Sequence, residues 1–228
     1  DVYNYDDVWD IYREIFTLGY FISIFLSRAA VFLLSLYVIA YMAVYSKTKD
    51  GIVKISDVWN KVLNTVLPVF IGSIIFWILV SIGSMLCLIP GIIVFVYLSF
   101  FDYVYINEEK GLFESFQRSF ELIQGNFWTT LGIGLVFGIL VLIGSIIFAV
   151  PSYLTGFGIA FGIDFLAGDI FIYFAGIIAS LGQFILLPIL YMAMGVVYYS
   201  LRNQTEMIDE DSEIDNIGVK EEESNISY

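Results

Sequence analysis

The sequence predicts an all-α polytopic transmembrane helical bundle. Three observations carry this prediction. Of the 228 residues, 59% are hydrophobic and only 14% charged, whereas soluble domains carry about 25% charged residues. Four long stretches hold no charge at all: 29–46, 62–101, 122–163 and 170–201. Proline and glycine break the two longest of these at places that suit reversals of direction.

A bilayer core about 30 Å thick needs about 20 helical residues, so a run of 40 or more is two crossings or a crossing and a turn. Five segments follow, at roughly 18–46, 68–89, 91–106, 127–150 and 169–200. Pro90-Gly91 ends the second, Pro151 and the glycines after it end the fourth, and Pro188 kinks the fifth. The third segment is short. It is either a tilted helix or a hairpin turning inside the bilayer at Pro90-Gly91.

Basic residues orient the segments. Lys47, Lys49, Lys54 and Lys61 follow the first, Lys110 and Arg118 follow the third, and Arg202 follows the last. The 151–168 connection holds no Lys or Arg. Both basic loops and the C-terminus are therefore expected in the cytoplasm, with 1–17 and 151–168 outside. That arrangement implies an earlier crossing upstream of Asp1, giving six segments with both ends inside. An open reading frame without an upstream apolar stretch would refute this.

The net charge of −13 is concentrated at one end. Residues 202–228 contain nine acids against Arg202 and Lys220. With no aromatic before Tyr228, this stretch reads as a disordered acidic cytoplasmic tail, either simply solvated or docking a basic partner. No basic stripe exists to neutralise phosphates, so nucleic acid is not an expected partner.

Two stretches before crossings are two-faced at helical spacing. In the first, Trp59, Val62, Leu63 and Val66 oppose Asp57, Asn60, Lys61 and Asn64, with Ser56 as N-cap. In the second, Phe113, Phe116, Phe120 and Ile123 oppose Glu114, Gln117, Arg118, Glu121 and Gln124, with Gly125 as C-cap and Phe127-Trp128 at interface depth. They are expected as cytoplasmic amphipathic helices, either in the headgroup plane or packed on the protein's own face.

The crossings that follow these stretches are alike. Residues 75–91 and 136–152 share eight of 17 positions, among them Gly83/Gly144, Ser84/Ser145 and Pro90/Pro151. The expected organisation is an extracytoplasmic segment at 1–17, a helical domain at 18–201 with an internal repeat (about 56–106 and 112–200), and the tail at 202–228. Gly83-Ser84, Gly144-Ser145, Gly134/Gly138 and Gly176/Ser180 are the small-residue positions at which helices approach closely.

Residues 88–128 resemble a bacterial family named for the membrane portion of some glycerophosphoryl diester phosphodiesterases, which includes uncharacterised integral membrane proteins. The features are Ile89-Pro90-Gly91, Glu109 with Gly111, Arg118-Ser119, and Gly125 with Phe127-Trp128. Ser115 departs from the pattern, since a small Ala is usual there, and so does the acidic tail. The resemblance implies a polytopic helical domain of the bacterial cytoplasmic (inner) membrane. It does not imply phosphodiesterase activity, which sits in a separate histidine-containing barrel domain.

Histidine is absent and Cys87 is the one cysteine. These counts exclude Ser-His triads, imidazole bases, histidine-held metals and Cys-rich metal sites. No catalytic, cofactor or metal site is expected. Pro90, Gly91, Gly125, Trp128 and Pro151 are read as structural motif residues. Arg28, Asp102 and Arg118 are the candidate contacts to lipid or partner. Arg28 either snorkels to the outer interface or meets a buried group or anionic lipid. Asp102 is either an interfacial acid or a buried ion or proton site. Glu108 and Glu109 read as solvated. The expected function is a non-enzymatic scaffold or accessory subunit that contacts membrane lipids and other membrane proteins. The alternative is a permease or a handler of lipid or small molecules.

Overall fold

A computed structural model describes residues 18–48 and 52–225, with side chains described through residue 207. The first helix, α1 (Leu18–Lys47), is followed by α2 (Ile55–Leu86), α3 (Leu88–Tyr97), α4 (Phe101–Glu108) and α5 (Leu112–Ile123). Then come α6 (Phe127–Phe161), a single turn α7 (Asp164–Ala167) and α8 (Asp169–Asn225). Among the described residues there is no strand. Five stretches are long and apolar enough to cross a membrane: α1, α2, α3 with α4, α6, and α8 as far as Met207. The predicted segment at 1–17 lies outside the described residues.

Three elements depart from the sequence reading. The first two-faced stretch is not a separate in-plane helix. It runs into the second crossing as one helix, with Pro68 inside it. Pro68 forfeits one backbone bond, and continuing the helix keeps the neighbouring polar groups satisfied where water is scarce. The N-cap is Lys54, not Ser56, and the buried face is Val58, Val62, Thr65 and Val69, which leaves Trp59 and Leu63 exposed.

Pro151 likewise fails to end the fourth crossing. α6 passes through it and stops eleven residues later at Gly162, whose φ of 67° supplies the left-handed cap. The repeat-related stretches therefore follow different paths. The first reverses at Cys87, which is extended (φ −170°, ψ 155°), because Gly91 lets the chain fold back against α2. A Cβ on Gly91 would meet Ser84 Oγ and lie 3.0 Å from Ser84 Cα.

The tail expected to be disordered continues α8 as helix to Asn225. A helix already nucleated by a long span extends cheaply, since each added residue gains a bond without a new nucleus. Arg202 Nε to Glu206 Oε1 at 2.7 Å spans one turn of this extension.

The core lies toward one end of the bundle. Leu36, Ile39, Ala40 and Ala43 of α1 meet Val58, Val62, Val69 and Phe76 of α2, Val96 to Ile106 of α3 and α4, and Val197, Tyr198 and Leu201 of α8. No residue between Ile133 and Met194 belongs to it. Over that length α6 and α8 pack on each other through small residues, Gly144 against Leu186 and Gly182 against Phe148.

Candidate functional site

The third crossing is broken, and the break organises the site. Between α3 and α4, residues 98–100 leave the helical ladder. Ser119 of α5 repairs it, donating from Oγ to the Tyr97 carbonyl at 2.8 Å and accepting from the Phe100 N–H at 3.1 Å. The buried face of α5 is thus Ser115, Phe116, Ser119, Leu122 and Ile123. That is the packed alternative for this helix. Phe113 and Phe120 stay exposed. The C-cap is Gln124, one residue before the expected position, and Gly125 follows it in the left-handed region with φ +90°. Beyond Asn126 come Phe127, tilted against Tyr97 with 5.3 Å between ring centroids, and exposed Trp128.

Below the break lies a polar cluster that ties several elements together. Glu108 is not solvated as expected, for its side chain is only 9% exposed. It accepts from Tyr198 Oη at 3.0 Å and pairs with Lys110 at 3.0 Å and Arg118 at 3.5 Å. Arg118 also faces Glu121 at 3.6 Å. Asn107 is held from both sides: Nδ2 donates to the Tyr103 carbonyl at 2.7 Å, and Oδ1 accepts from Tyr199 Oη at 2.6 Å. Glu109 is 67% exposed and links Lys61 (2.8 Å) with Lys47 (3.5 Å). The Lys61 hydrogen bond and charge, then Lys47, hold its carboxyl below the usual glutamate range. Lys47, Lys61, Lys110 and Arg118 therefore gather at one end of the bundle. Arg118, expected as a lipid or partner contact, is taken up largely by Glu108 and Glu121.

Above the break, framed by all five spans, is a cavity of about 590 Å³. Its wall is mostly apolar and aromatic, with Phe32, Val69, Phe76, Phe95, Leu131 and Leu190. The polar groups on it are Arg28, Ser35, Ser73, Ser99, Asp102, Tyr103, Thr130 and Tyr191. Arg28, Trp77, Phe95 and Leu135 line it and are exposed, so it opens on a surface that lipid covers. Thr130 Oγ1 is buried on this wall without a hydrogen-bond partner. Asp102 Oδ1 accepts the Tyr103 N–H at 2.9 Å, and Tyr103 Oη donates to the Tyr191 carbonyl at 2.6 Å. Neither Arg28 nor Asp102 has an ion-pair partner among the described residues.

Residues 16–201 match a family described as a domain of unknown function, DUF7847. The chain belongs to the DUF7847 family. No curated protein and no solved structure matches it. In this DUF7847 chain, two predicted contact residues, Arg28 and Asp102, line one cavity. The predicted structural residues serve elsewhere: Pro90 and Gly91 at the α2–α3 reversal, Gly125 and Trp128 at the α5–α6 joint, and Pro151 inside α6. Ser119 and Glu108 are the residues whose roles the sequence reading missed, because each depends on partners brought from distant elements. Among the described residues, no three acidic or cysteine side chains gather into a metal-holding group.

Proposed function

We propose that this chain is a non-enzymatic integral membrane protein that holds an amphiphile in the cavity above the α3–α4 break. The observation that carries the reading is the cavity itself. It is mostly apolar, reaches a lipid-covered surface, and is framed by every span. Binding pockets are concave and largely apolar, with a few polar groups that fix orientation, and this cavity has that composition. The sequence alternative, a handler of lipid or small molecules, thus gains over the scaffold.

The test is thermal unfolding in detergent with and without added membrane lipid. A ligand that binds only the folded state raises the unfolding temperature with concentration. Replacing Gly134, whose Cβ position has only Met194 Sδ within contact range at 3.9 Å, with Trp fills the cavity and abolishes the gain. Equal stabilisation of G134W and wild type refutes the proposal.

A scaffold or accessory-subunit role is the second reading, and one observation favours it. α6 and α8 leave Ile139, Leu142, Ile146, Phe174, Ile177 and Leu181 exposed on the pair they form, which suits a neighbouring membrane protein. Crosslinking from Ile139 or Ile177 distinguishes the readings, since a scaffold gives one discrete protein adduct and an amphiphile holder gives lipid adducts.

The proposed setting is the bacterial cytoplasmic membrane with the C-terminus inside, supported by the basic residues at one end and by the resemblance of 88–128 to the phosphodiesterase membrane-domain family. Cys87 is replaceable for labelling. Single cysteines at Val53 and at Ser152 should label from opposite sides, and labelling from one side overturns the topology.

A further inference from the structure

The two charges on the cavity stand at different depths. Arg28 lies nineteen residues before Lys47 in α1, or about 28 Å along the helix at 1.5 Å per residue. Asp102 lies six residues before Glu108 in α4, or about 9 Å from the same basic end. With a hydrocarbon core of about 30 Å, Arg28 stands at the far headgroup boundary and Asp102 deep on the basic side. The apolar wall runs between them.

We propose that the ligand is an anionic lipid of the leaflet opposite the basic end, its headgroup held by Arg28 and one acyl chain laid in the cavity toward Asp102. This rests on the amphiphile reading above and adds to it the headgroup class and the orientation. Arg28 supports it because a guanidinium on lipid-covered surface, with no ion-pair partner among the described residues, needs an anion, and it binds phosphate oxygens in a forked geometry. Arg28 is the one basic residue among those lining the cavity, so an anionic headgroup finds its cation there and the chain enters with its head at Arg28 and not reversed.

Native mass spectrometry of the whole chain from detergent micelles tests the inference. The probes are dioleoyl phosphatidylglycerol, dioleoyl phosphatidylcholine with the same chains, and inorganic phosphate. The wild type should retain one phosphatidylglycerol about tenfold better than phosphatidylcholine, the scale of one charge-assisted hydrogen-bonded pair. Arg28→Gln should equalise the two lipids, and Arg28→Lys should restore part of the preference. Because Arg28 is exposed, neither change disturbs packing, and unfolding temperatures check this. Excess inorganic phosphate should not displace the lipid. Displacement would mean that a free anion, not a lipid, is the ligand.

A preference that survives R28Q overturns the headgroup assignment. Equal retention of both lipids by wild type, lost in G134W, overturns the headgroup inference and keeps the cavity reading. Retention unaffected by G134W overturns both.

Discussion

Ser115 and Ser119 sit one turn apart on α5 and are both fully buried, yet their hydroxyls should differ sharply in worth. Ser119 Oγ satisfies two backbone groups of the 98–100 break, the Tyr97 carbonyl and the Phe100 N–H. Replacing Ser119 with Ala strands both in a place water does not reach. A stranded buried polar group costs about 1–3 kcal/mol, so S119A should lose about 2–4 kcal/mol once relief from burying the hydroxyl is included. Ser115 Oγ donates at 2.9 Å to the Gly111 carbonyl, which already accepts the Ser115 N–H at 2.9 Å. S115A strands nothing and should lie within about 0.5 kcal/mol of wild type. The assay is reversible unfolding in mixed micelles by SDS titration, read by tryptophan fluorescence and far-UV circular dichroism. An S119A protein as stable as wild type, or an S115A protein equally damaged, would refute the view that α5 splices the broken crossing.

Gly91→Ala places a methyl group 3.0 Å from Ser84 Cα and Cβ and should cost about 1–3 kcal/mol by overpacking. The added change Ser84→Gly should recover part of that loss in the same unfolding assay. At Gly125 nothing lies within 4 Å of the missing Cβ, so G125A should lose about 1–2 kcal/mol from the left-handed backbone alone. G125N should lose less, since Asn tolerates that region. Glu109 gives a pH dependence with a definite sign. Its carboxyl is held below the usual range by Lys61 and Lys47, so its contribution is complete above the ordinary glutamate pKa. It disappears as pH falls through the lowered value. Amide exchange at 44–48 and 57–62 should rise over that acid window in wild type, while E109Q shows the raised rate at neutral pH and no such window.

The crossings were legible because bilayer thickness fixes their length and charge-free runs mark them. The left-handed turn at Gly125 was legible too, because its signal is local and only glycine adopts that backbone freely. Pro151 misled because proline weakens a helix without ending it. Where the neighbouring backbone stays bonded and lipid surrounds it, carrying on is cheaper than turning. The first amphipathic stretch misled for the same reason at Pro68. Residues whose worth comes from distant partners left no local mark. Glu108 looks like any loop acid until Arg118 and Tyr198, 10 and 90 residues away, close around it. Ser119 looks like a weak helix residue until the gap at 98–100 is set beside it. Arg28 and Asp102 stood out as charges in apolar surroundings, but no periodicity joins α1 to α4.

The one-sided placement of the core has a mechanical consequence. Near the basic end α1 to α5 and α8 are locked by side chains from Leu36 to Leu201, whereas beyond residue 134 the α6–α8 hairpin is braced mainly by itself. A change in bilayer thickness must be absorbed where the protein is softest, because hydrophobic mismatch is relieved by tilt at modest cost. The hairpin would lean while the locked end held still. Its base, at Leu131, Gly134, Leu190 and Met194, forms one wall of the cavity, so thickening or thinning the membrane would widen or narrow that chamber with no ligand involved.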